Sequence, residues 1–403
     1  MTETRDMRHA NIDPGDKRLS FTLCAIVTGL FMTNISEGIG HLLGVNAETV
    51  SLACKLLILL SLLVCATVIL ERLNVMMVLT ALAFVICVIL NFVIFPDNSV
   101  FFAKTVSTFL LTILPGMICL MALEDYRPCL RALIVASCII SLINTFVLLI
   151  MSDVQFGSGY SMGYANSMIL PTNVLIYVLL EKNVSFLKKV GVALLIVLNI
   201  VSVMAYGSRG ALVAIMAFVL VFGFKMLRKK TDFLIILAII MTLLLCVIFY
   251  RQIFSAVYNL LKQFGFNSRT LYLLSTDIGH DSGRSELWGE VIADISSNPF
   301  IAHGINGDYA LIGIYSHSFI FELVHSLGIL FGGIAIIFVL YLIIRTVFSR
   351  SDEYNAVRSV MLFSFFPICL FSLSVWTNMY FWLWLTVCLR GYAIQNKSTT
   401  KRI

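Results

Sequence analysis

Three short polar sequences stand out in a mostly apolar chain, and each contains residue types that can do chemistry. They are Gly207-Ser208-Arg209-Gly210-Ala211, Ser282-Gly283-Arg284, and Ser316-His317-Ser318 followed by Glu322. An arginine offers a fork of N–H donors that suits phosphate oxygens, and a histidine can accept a proton near neutral pH. Together these groups predict an anionic, phosphate-like substrate with general-base catalysis beside it.

Both arginines fall where a helix is expected to begin. Arg209 precedes an apolar segment, and Arg284 opens an amphipathic pattern over residues 284–297. The first turn of a helix attracts anions through its backbone N–H groups and its dipole. Other interpretations stay open, because Arg209 could reach lipid headgroups along its apolar stem and Arg284 could pair with a nearby acid. A single histidine such as His317 is often only a hydrogen-bonded structural residue.

The composition indicates what must position these residues. The chain has 403 residues, of which 60% are hydrophobic and 12% charged, and its mean hydropathy is +0.97. Soluble proteins are about 25% charged, so a soluble enzyme, a disordered chain and a secreted disulfide scaffold are excluded. The ten cysteines lie mostly in apolar stretches and are expected to be buried free thiols.

Apolar segments of about 20 residues can cross a bilayer, and we predict an all-α integral membrane protein with about twelve transmembrane helices. The predicted spans are 19–36, 50–70, 75–95, 101–123, 132–151, 165–181, 190–206, 210–224, 233–250, 313–344, 359–376 and 379–393. They divide the chain into a tail 1–18, spans one to nine in 19–250, a large loop 251–312 that contains short helices, spans ten to twelve in 313–393, and a tail 394–403. A loop of that length in a compact protein is usually functional.

The positions of lysine and arginine predict the orientation. Most of them lie in the two tails and at the ends of the even-numbered spans, and such residues mark the cytoplasmic side. Both termini are therefore predicted to be cytoplasmic, and the loop 251–312 is predicted to be outside the cell or in the periplasm. The net charge of +6 follows from this topology and does not indicate nucleic-acid binding.

At these residues the sequence resembles the O-antigen ligase/polymerase superfamily, over roughly residues 160–335. The resemblance is carried by the run 207–211, Ser282-Gly283-Arg284 with Trp288, Asn298-Pro299 with His303-Gly304, and His317-Ser318 followed by Gly328 and Gly332. It implies a metal-independent, GT-C-like glycosyltransferase that moves lipid-pyrophosphate-linked glycans at the outer face of the bacterial inner membrane.

The resemblance also implies roles for single residues. Arg209 and Arg284 would engage the donor pyrophosphate, and His317 would activate the acceptor hydroxyl. Further candidates for substrate binding are Ser208, Gly210, His303 and Glu322. No cofactor is expected, and we predict no metal site because the sequence lacks spacings such as HExxH. The roles of the charged residues predicted within or near spans stay open; these are Lys55, Lys104 and Glu37.

Three functions remain after this comparison. A Wzy-type polymerase would join polyprenyl-pyrophosphate-linked repeat units into O-antigen or capsule, using a lipid-linked glycan donor and a glycan acceptor, with a chain-length regulator as a further candidate partner. An O-antigen ligase would move the polymer to lipid A-core. Many ligases of the superfamily carry a second histidine where this chain has Tyr315, which favours the polymerase. A transporter or flippase of lipid-linked oligosaccharide is the third possibility.

Overall fold

Helices make up the regular secondary structure in the part of the chain that the structure describes. This computed structural model describes residues 12–36, 39–40, 44–150, 162–181, 184–206, 209–226, 250–263, 269–276, 283–349 and 352–400, and no strand occurs among them. Ser208, Glu37 and most of the predicted span 233–250 lie outside the described residues. In chain order the helices are α1 (Pro14–Asn34), α2 (Ala47–Val64), α3 (Ala66–Glu71), α4 (Val75–Ile94), α5 (Ser99–Thr108), α6 (Leu114–Ala122), α7 (Tyr126–Ile150), α8 (Met162–Ser167), α9 (Ile169–Leu180), α10 (Phe186–Tyr206), α11 (Arg209–Met226), α12 (Tyr250–Gln263), α13 (Arg269–Thr276), α14 (Arg284–Ser297), α15 (Gly307–Ile312), α16 (Phe319–Val347), α17 (Glu353–Cys369) and α18 (Met379–Thr400).

Seven of these helical segments are long and apolar enough to cross a membrane. They are Ala47–Val64, Val75–Ile94, Pro96–Ala122, Tyr126–Phe146, Met162–Leu180, Phe186–Ala205 and Phe319–Val347. The protein is therefore a multi-pass membrane protein, as predicted. Helices α1, α11, α17 and α18 overlap four further predicted spans but are not among these seven segments. The count of about twelve spans stays a prediction.

The core forms around α9, which contacts α7, α10, α11 and α17. A helix that is surrounded by other helices is apolar on all sides, and α9 buries nearly its whole length. Its few polar groups are buried with it, and the Thr172 hydroxyl donates to the backbone carbonyl of Met168 at 2.6 Å. Helix α1 packs on α2 and α7, and α11 packs on α17. This core holds α17 and α11, which lead to the candidate site.

One end of the bundle is held by ion pairs and collects basic residues. Arg72 forms ion pairs of 2.5 Å with both Asp13 and Asp16 and donates to the carbonyl of Ala122 at 3.1 Å. These contacts join the start of α1, the α3–α4 turn and the α6–α7 turn. An acidic and aromatic cleft at the start of α7 and α17 lies at the same end; it is lined by Glu124, Asp125, Tyr126, Arg127, Asp352, Glu353, Tyr354 and Gly391.

The opposite end is built on the connection between α14 and α15. The Asn98 side chain donates to the carbonyl of His303 at 2.6 Å, and the backbone N–H of Ile305 donates to the Asn91 side chain at 2.7 Å. Gly304 between them has φ +75°, and a Cβ there would lie 2.4 Å from the Phe95 ring. Only glycine fits this position without strain, so the connection is fixed against α4 and α5.

Helix α16 differs from the single straight span predicted over 313–344. It begins at Phe319 and is broken at Gly328, which has φ 73° and ψ 164°. A Cβ on Gly332 would lie 2.7 Å from the carbonyl oxygen of Leu323, so the long second arm of α16 lies directly against the short first arm, residues 319–327. Residues 313–318 are an irregular connection rather than the start of a span.

The break at Gly328 leaves backbone hydrogen-bonding groups without partners within the helix. The connection between α14 and α15 supplies those partners. The N–H groups of His303 and Gly304 donate to the carbonyls of His325 and Ser326 at 3.1 and 3.0 Å, and the N–H of Ile329 donates to Pro299 at 2.8 Å. The last carbonyls of a helix have no partner within the helix and must find one elsewhere. The connection between α14 and α15 is therefore part of the same unit as the short arm of α16.

Candidate functional site

Ser372 is the point at which the two main predicted site residues meet. It lies in the loop 370–378 between α17 and α18 and is buried. Arg284 Nη2 donates to the Ser372 hydroxyl at 3.3 Å. His317 Nδ1 lies 3.1 Å from the Ser372 carbonyl oxygen, and the Tyr315 hydroxyl donates to that oxygen at 2.9 Å. We call Arg284, Tyr315, His317 and Ser372 the Ser372 cluster.

Arg284 is the first residue of α14, as the sequence predicted. Gly283 precedes it in the left-handed region, with φ 81°, and gives the helix no side-chain cap. The half-buried guanidinium thus lies beside the positive end of a helix dipole. Two sources of positive character at one point favour the binding of a phosphate-like anion.

Trp288 fastens α14 to the segment that carries His317. It lies one helical turn after Arg284, and its Nε1–H donates to the carbonyl of Ser316 at 2.8 Å. Its indole also packs edge-on against Phe321, with ring centroids 5.7 Å apart. Because Ser316 directly precedes His317, this contact fixes the distance between the predicted anion-binding arginine and the predicted base.

His317 has an unusual backbone conformation that directs its ring into the cluster. Its φ is 55°, which costs a residue other than glycine about 1–3 kcal/mol and persists only where the surroundings impose it. The ring packs on Tyr315, with centroids 4.0 Å apart. Since the Ser372 carbonyl only accepts hydrogen bonds, Nδ1 carries the ring proton, and Nε2 keeps a lone pair. The neutral ring can therefore accept a proton at Nε2.

Burial lowers the pKa of His317, and the positive charge of Arg284 lowers it further. The hydrogen bond to Ser372 and the negative charge of Asp308 act in the opposite direction, but the net pKa lies below the ordinary histidine value of 6.5. At neutral pH the imidazole is therefore uncharged. This is the protonation state that a general base requires.

The pH dependence of the rate tests this assignment. A base works above its pKa and is lost as the pH falls through it, so we expect an acidic limb with a midpoint below about 6.5. Arg284→Gln removes a positive charge beside the ring and should move the limb of the residual activity to higher pH. Initial rates across pH of the glycan transfer that the sequence resemblance implies would measure this. Arg127→Gln, at the opposite end of the bundle, should leave the midpoint of the limb unchanged. The same midpoint in the wild type, Arg284→Gln and Arg127→Gln would contradict the assignment.

Glu322 contacts the loop that carries Ser372. The sequence analysis predicted a substrate contact instead. It is 1% exposed. One carboxylate oxygen accepts from the Ser374 hydroxyl, and the other accepts from the N–H of Val375 at 2.7 Å. Both oxygens are thus occupied by the loop 370–378. In this structure Glu322 holds the loop that presents Ser372, and it does not face an open site.

Glu322→Ala should destabilise the protein by about 1–3 kcal/mol, because the N–H of Val375 would be buried without an acceptor. Glu322→Gln keeps one acceptor oxygen and should therefore lose less stability than the alanine variant. Thermal unfolding of the purified protein in detergent would measure both variants. An alanine variant with the wild-type midpoint would show that the loop does not depend on this carboxylate.

Asp308 is a site residue that the sequence analysis missed. Its carboxylate is fully buried and accepts from the N–H of Ser316 at 2.7 Å and from the N–H of Tyr309 at 3.1 Å. Burial raises its pKa above the ordinary aspartate value, although the hydrogen bonds from Ser316 act against this. Asp308 fixes the backbone just before His317. A lone Gly-Asp pair in a loop gives no sequence signal for such a role.

The other predicted site residues are Arg209, Gly210, Ser208 and His303. Arg209 begins α11 as predicted, and Gly210 follows it in the first turn; their convergence with Arg284 stays a prediction. Ser208 lies outside the described residues. His303 lies instead with Asp294 and His325, where its Nε2 is 3.3 Å from an oxygen of Asp294.

An apolar groove is lined in part by Trp376, from the loop that carries Ser372. It has a volume of about 320 Å³ and runs between α4, α5, α6 and α18. Trp376, in the loop 370–378, lies at one end of it, and its carbonyl accepts from the Trp382 indole at 3.2 Å. Other lining residues are Met76, Thr80, Phe84, Cys87, Val88, Phe102, Phe109, Met121, Ile305 and Leu385. The groove could hold part of a hydrocarbon chain.

Ser372 was missed because its loop was predicted to be the end of span 359–376. Helix α17 ends at Cys369, and residues 370–378 form turns. Four polar residues in that stretch could have signalled the loop; they are Ser372, Ser374, Thr377 and Asn378. The apolar residues between them outweighed this signal.

The fold and the cluster define a class: a helical, multi-pass membrane protein with an arginine and a histidine at one buried serine. The family comparison is more specific, because residues 194–329 match the family model Wzy_C, O-antigen ligase. The match includes Arg209, Arg284 and His317, and over this segment it confirms the resemblance to the O-antigen ligase/polymerase superfamily. Members of that family are glycosyltransferase-like enzymes that act on lipid-linked glycans. No curated protein and no solved structure gave a significant match to the chain.

Proposed function

We propose that the protein is a Wzy-type polymerase that joins polyprenyl-pyrophosphate-linked repeat units of O-antigen or capsule. The observation that carries this proposal is the meeting of Arg284 and His317 at Ser372, 3.3 and 3.1 Å from its hydroxyl and carbonyl. A cationic donor fork and a neutral imidazole side by side are the groups that transfer from a glycosyl pyrophosphate requires. The family match over residues 194–329 supports the same chemistry.

In the proposed reaction the acceptor hydroxyl attacks the anomeric carbon of the donor glycan. A C–O bond to the acceptor forms while the C–O bond to the pyrophosphate breaks, and polyprenyl pyrophosphate leaves. His317 Nε2 takes the hydroxyl proton. Arg284, and by prediction Arg209, stabilise the negative charge that grows on the pyrophosphate. Fixed cationic donors stabilise such charge strongly because they need no reorganisation during the reaction, and we propose that no metal takes part in this step.

The apolar groove supports a lipid-linked donor. A polyprenyl chain needs an apolar path, and the groove of about 320 Å³ reaches Trp376, in the loop that carries Ser372. We propose that a donor whose tail lies in the groove extends its pyrophosphate toward the loop 370–378. Holding both ends of a substrate fixes its reacting bond in place, which lowers the entropic part of the barrier.

The membrane arrangement is also part of the proposal. We place the Ser372 cluster at the outer face of the bacterial inner membrane and both termini in the cytoplasm, in a GT-C-like fold with about twelve spans. The ion-paired end with Arg72 and Arg127 would then face the cytoplasm, in agreement with the positive-inside rule. A chain-length regulator is a proposed partner at the outer face.

An O-antigen ligase is the second candidate, and the name of the matching family model favours it. The chemistry at the cluster would be the same, with lipid A-core as the acceptor. Tyr315 stands where many ligases have a second histidine, and its hydroxyl donates to the Ser372 carbonyl at 2.9 Å. A tyrosine held in this way cannot serve as a second base at neutral pH, which supports the polymerase.

A gel of surface polysaccharide separates the candidates. A strain that lacks the gene would be complemented with the wild type, with Arg284→Ala, or with Arg127→Ala as a control at the other end of the bundle. Single repeat units on an otherwise normal core in the deletion and the Arg284→Ala strains would support a polymerase. Naked core with polymer accumulating on the lipid carrier would indicate a ligase, and an unchanged pattern would contradict both and favour a transporter.

A further inference from the structure

A second cluster of chemistry-bearing side chains lies apart from Ser372. It consists of Asp294 on α14, His303 on the connection after α14, and His325 on the short arm of α16. His325 Nε2 lies 2.9 Å from Asp294 Oδ2, and His303 Nε2 lies 3.3 Å from the same oxygen. One coordinating atom from each of the three residues lies within 4.8 Å of the other two.

We propose that Asp294, His303 and His325 bind a divalent transition-metal ion of the zinc class. Zinc is bound at about 2.0–2.2 Å by imidazole nitrogen and carboxylate oxygen, which sets neighbouring ligand atoms of a tetrahedral site about 3.3 Å apart. The two distances to Asp294 Oδ2 are 2.9 and 3.3 Å, so one equals this separation and the other is a few tenths of an ångström shorter. Two imidazoles and one carboxylate suit zinc and its transition-metal neighbours, whereas calcium and magnesium prefer sites made of oxygen alone.

The two imidazole rings are held in an arrangement that directs both toward the carboxylate. They stack with centroids 4.3 Å apart and an interplanar angle of 17°, and because a metal ion lies in the plane of each ring that binds it, ion binding would turn the two rings out of this parallel stack. The N–H of His303 donates to the carbonyl of His325 at 3.1 Å, which ties the two backbones together. Gly307 leaves room for the pair, because a Cβ there would lie 2.7 Å from His303 Cβ and 3.2 Å from the His325 ring.

Burial supports a metal rather than a simple ion pair. The His325 side chain is 1% exposed. His303 Nε2 is buried and, among the described residues, forms no hydrogen bond of good geometry although it points at a carboxylate oxygen. A metal ion would accept both ring nitrogens and the carboxylate at once. Asp294 and His303 are 26% and 28% exposed, so an ion can reach the site, and a water would complete its coordination.

The proposed ion would join the elements that carry the catalytic candidates without touching them. Asp294 lies on the helix that begins with Arg284, and His325 lies on the short helical arm that follows His317. A metal there would clamp α14 against α16. Metal binding of this kind adds its free energy to the stability of the folded state. The inference rests on the distances in this cluster and not on the proposed glycosyl transfer.

Metal content of the purified protein tests the proposal. The protein would carry an affinity tag without histidines, be purified in detergent, stripped with a chelator and then exposed to Zn²⁺. We expect one zinc per chain by elemental analysis and a rise in the midpoint of thermal unfolding. Asp294→Ala and His303→Gln, both at partly exposed side chains, should lose the bound zinc and the rise. Glu290→Ala, one turn earlier on the exposed face of α14, should keep both.

Co²⁺ gives a second measurement that does not depend on stability. Bound in a tetrahedral site of nitrogen and oxygen ligands, it should show intense visible absorption in the wild type and in Glu290→Ala but not in Asp294→Ala. Wild-type protein that binds no stoichiometric zinc would overturn the proposal, as would variants that bind it equally well. Glycan transfer is not a readout in either measurement, so their failure leaves the proposed function untouched.

Discussion

Arg284→Ala should lower kcat/KM for glycan transfer by about 10²–10³, the usual loss when one fixed donor to a developing negative charge is removed. The half-buried guanidinium lies at the start of α14 and donates to Ser372 at 3.3 Å, so water would replace it poorly. Arg284→Lys keeps the charge but loses the two-pronged fork, and we expect it to fall between the wild type and the alanine variant. Rates with a synthetic polyprenyl-pyrophosphate donor would measure all three.

The control for Arg284 is Arg127, which is also partly buried and lies at the other end of the bundle. Arg127 is bound to Asp125 at 2.7 Å, and Arg127→Ala should leave kcat/KM close to the wild-type value. An Arg284→Ala protein that is folded, as judged by its thermal unfolding, and equally active would remove Arg284 from the site. A loss in both variants would point to a general effect of arginine removal on the folded bundle.

The sequence predicted elements well where a pattern repeats along the chain. The amphipathic pattern over 284–297 corresponds to α14, Arg284–Ser297, and α12, Tyr250–Gln263, is one of the short helices predicted for the loop 251–312. Apolar runs likewise marked the membrane helices. Such signals are local, because the spacing of apolar residues alone fixes which face of a helix is buried.

The sequence did not predict the backbone conformation at positions where tertiary contacts determine it. Gly328 breaks α16 because Phe300 lies against it, with its carbonyl oxygen 2.9 Å from where a Cβ would be. Nothing in the apolar run around Gly328 indicates this contact. The predicted span 313–344 contains both His317 and His325, but His317 lies before the helix, and the two histidines contact different partners, Ser372 and Asp294.

The residue types of the candidate site could be proposed from the sequence. The residues that they contact could not. Arginine and histidine in an apolar chain are costly and indicate function, and this reasoning selected Arg284 and His317. It could not find Ser372, whose hydroxyl and carbonyl bring them together. It also could not show that Glu322 points inward to hold Val375, because burial depends on which loop packs over the helix.

His317→Ala should reduce the rate of transfer by about 10²–10⁴, the range for removal of a positioned general base. The remaining rate should also lose its acidic limb, because the group whose lowered pKa sets that limb is gone. Added imidazole should restore part of the rate, since truncation to alanine leaves a space beside Tyr315, on which the ring packs at 4.0 Å between centroids. Initial rates across pH, with and without imidazole, would measure both effects.

A structural role for His317 predicts a different result, and Tyr315 separates the two roles. Tyr315→Phe removes the hydroxyl that donates to the Ser372 carbonyl but keeps an aromatic ring against His317. We expect a smaller loss of rate, an acidic limb that persists, and no effect of imidazole. If His317→Ala kept the acidic limb, another group would be the base. If the alanine variant lost activity only in proportion to its thermal stability, His317 would matter because it holds the loop 370–378, and the proton of the acceptor hydroxyl would have to leave by another path.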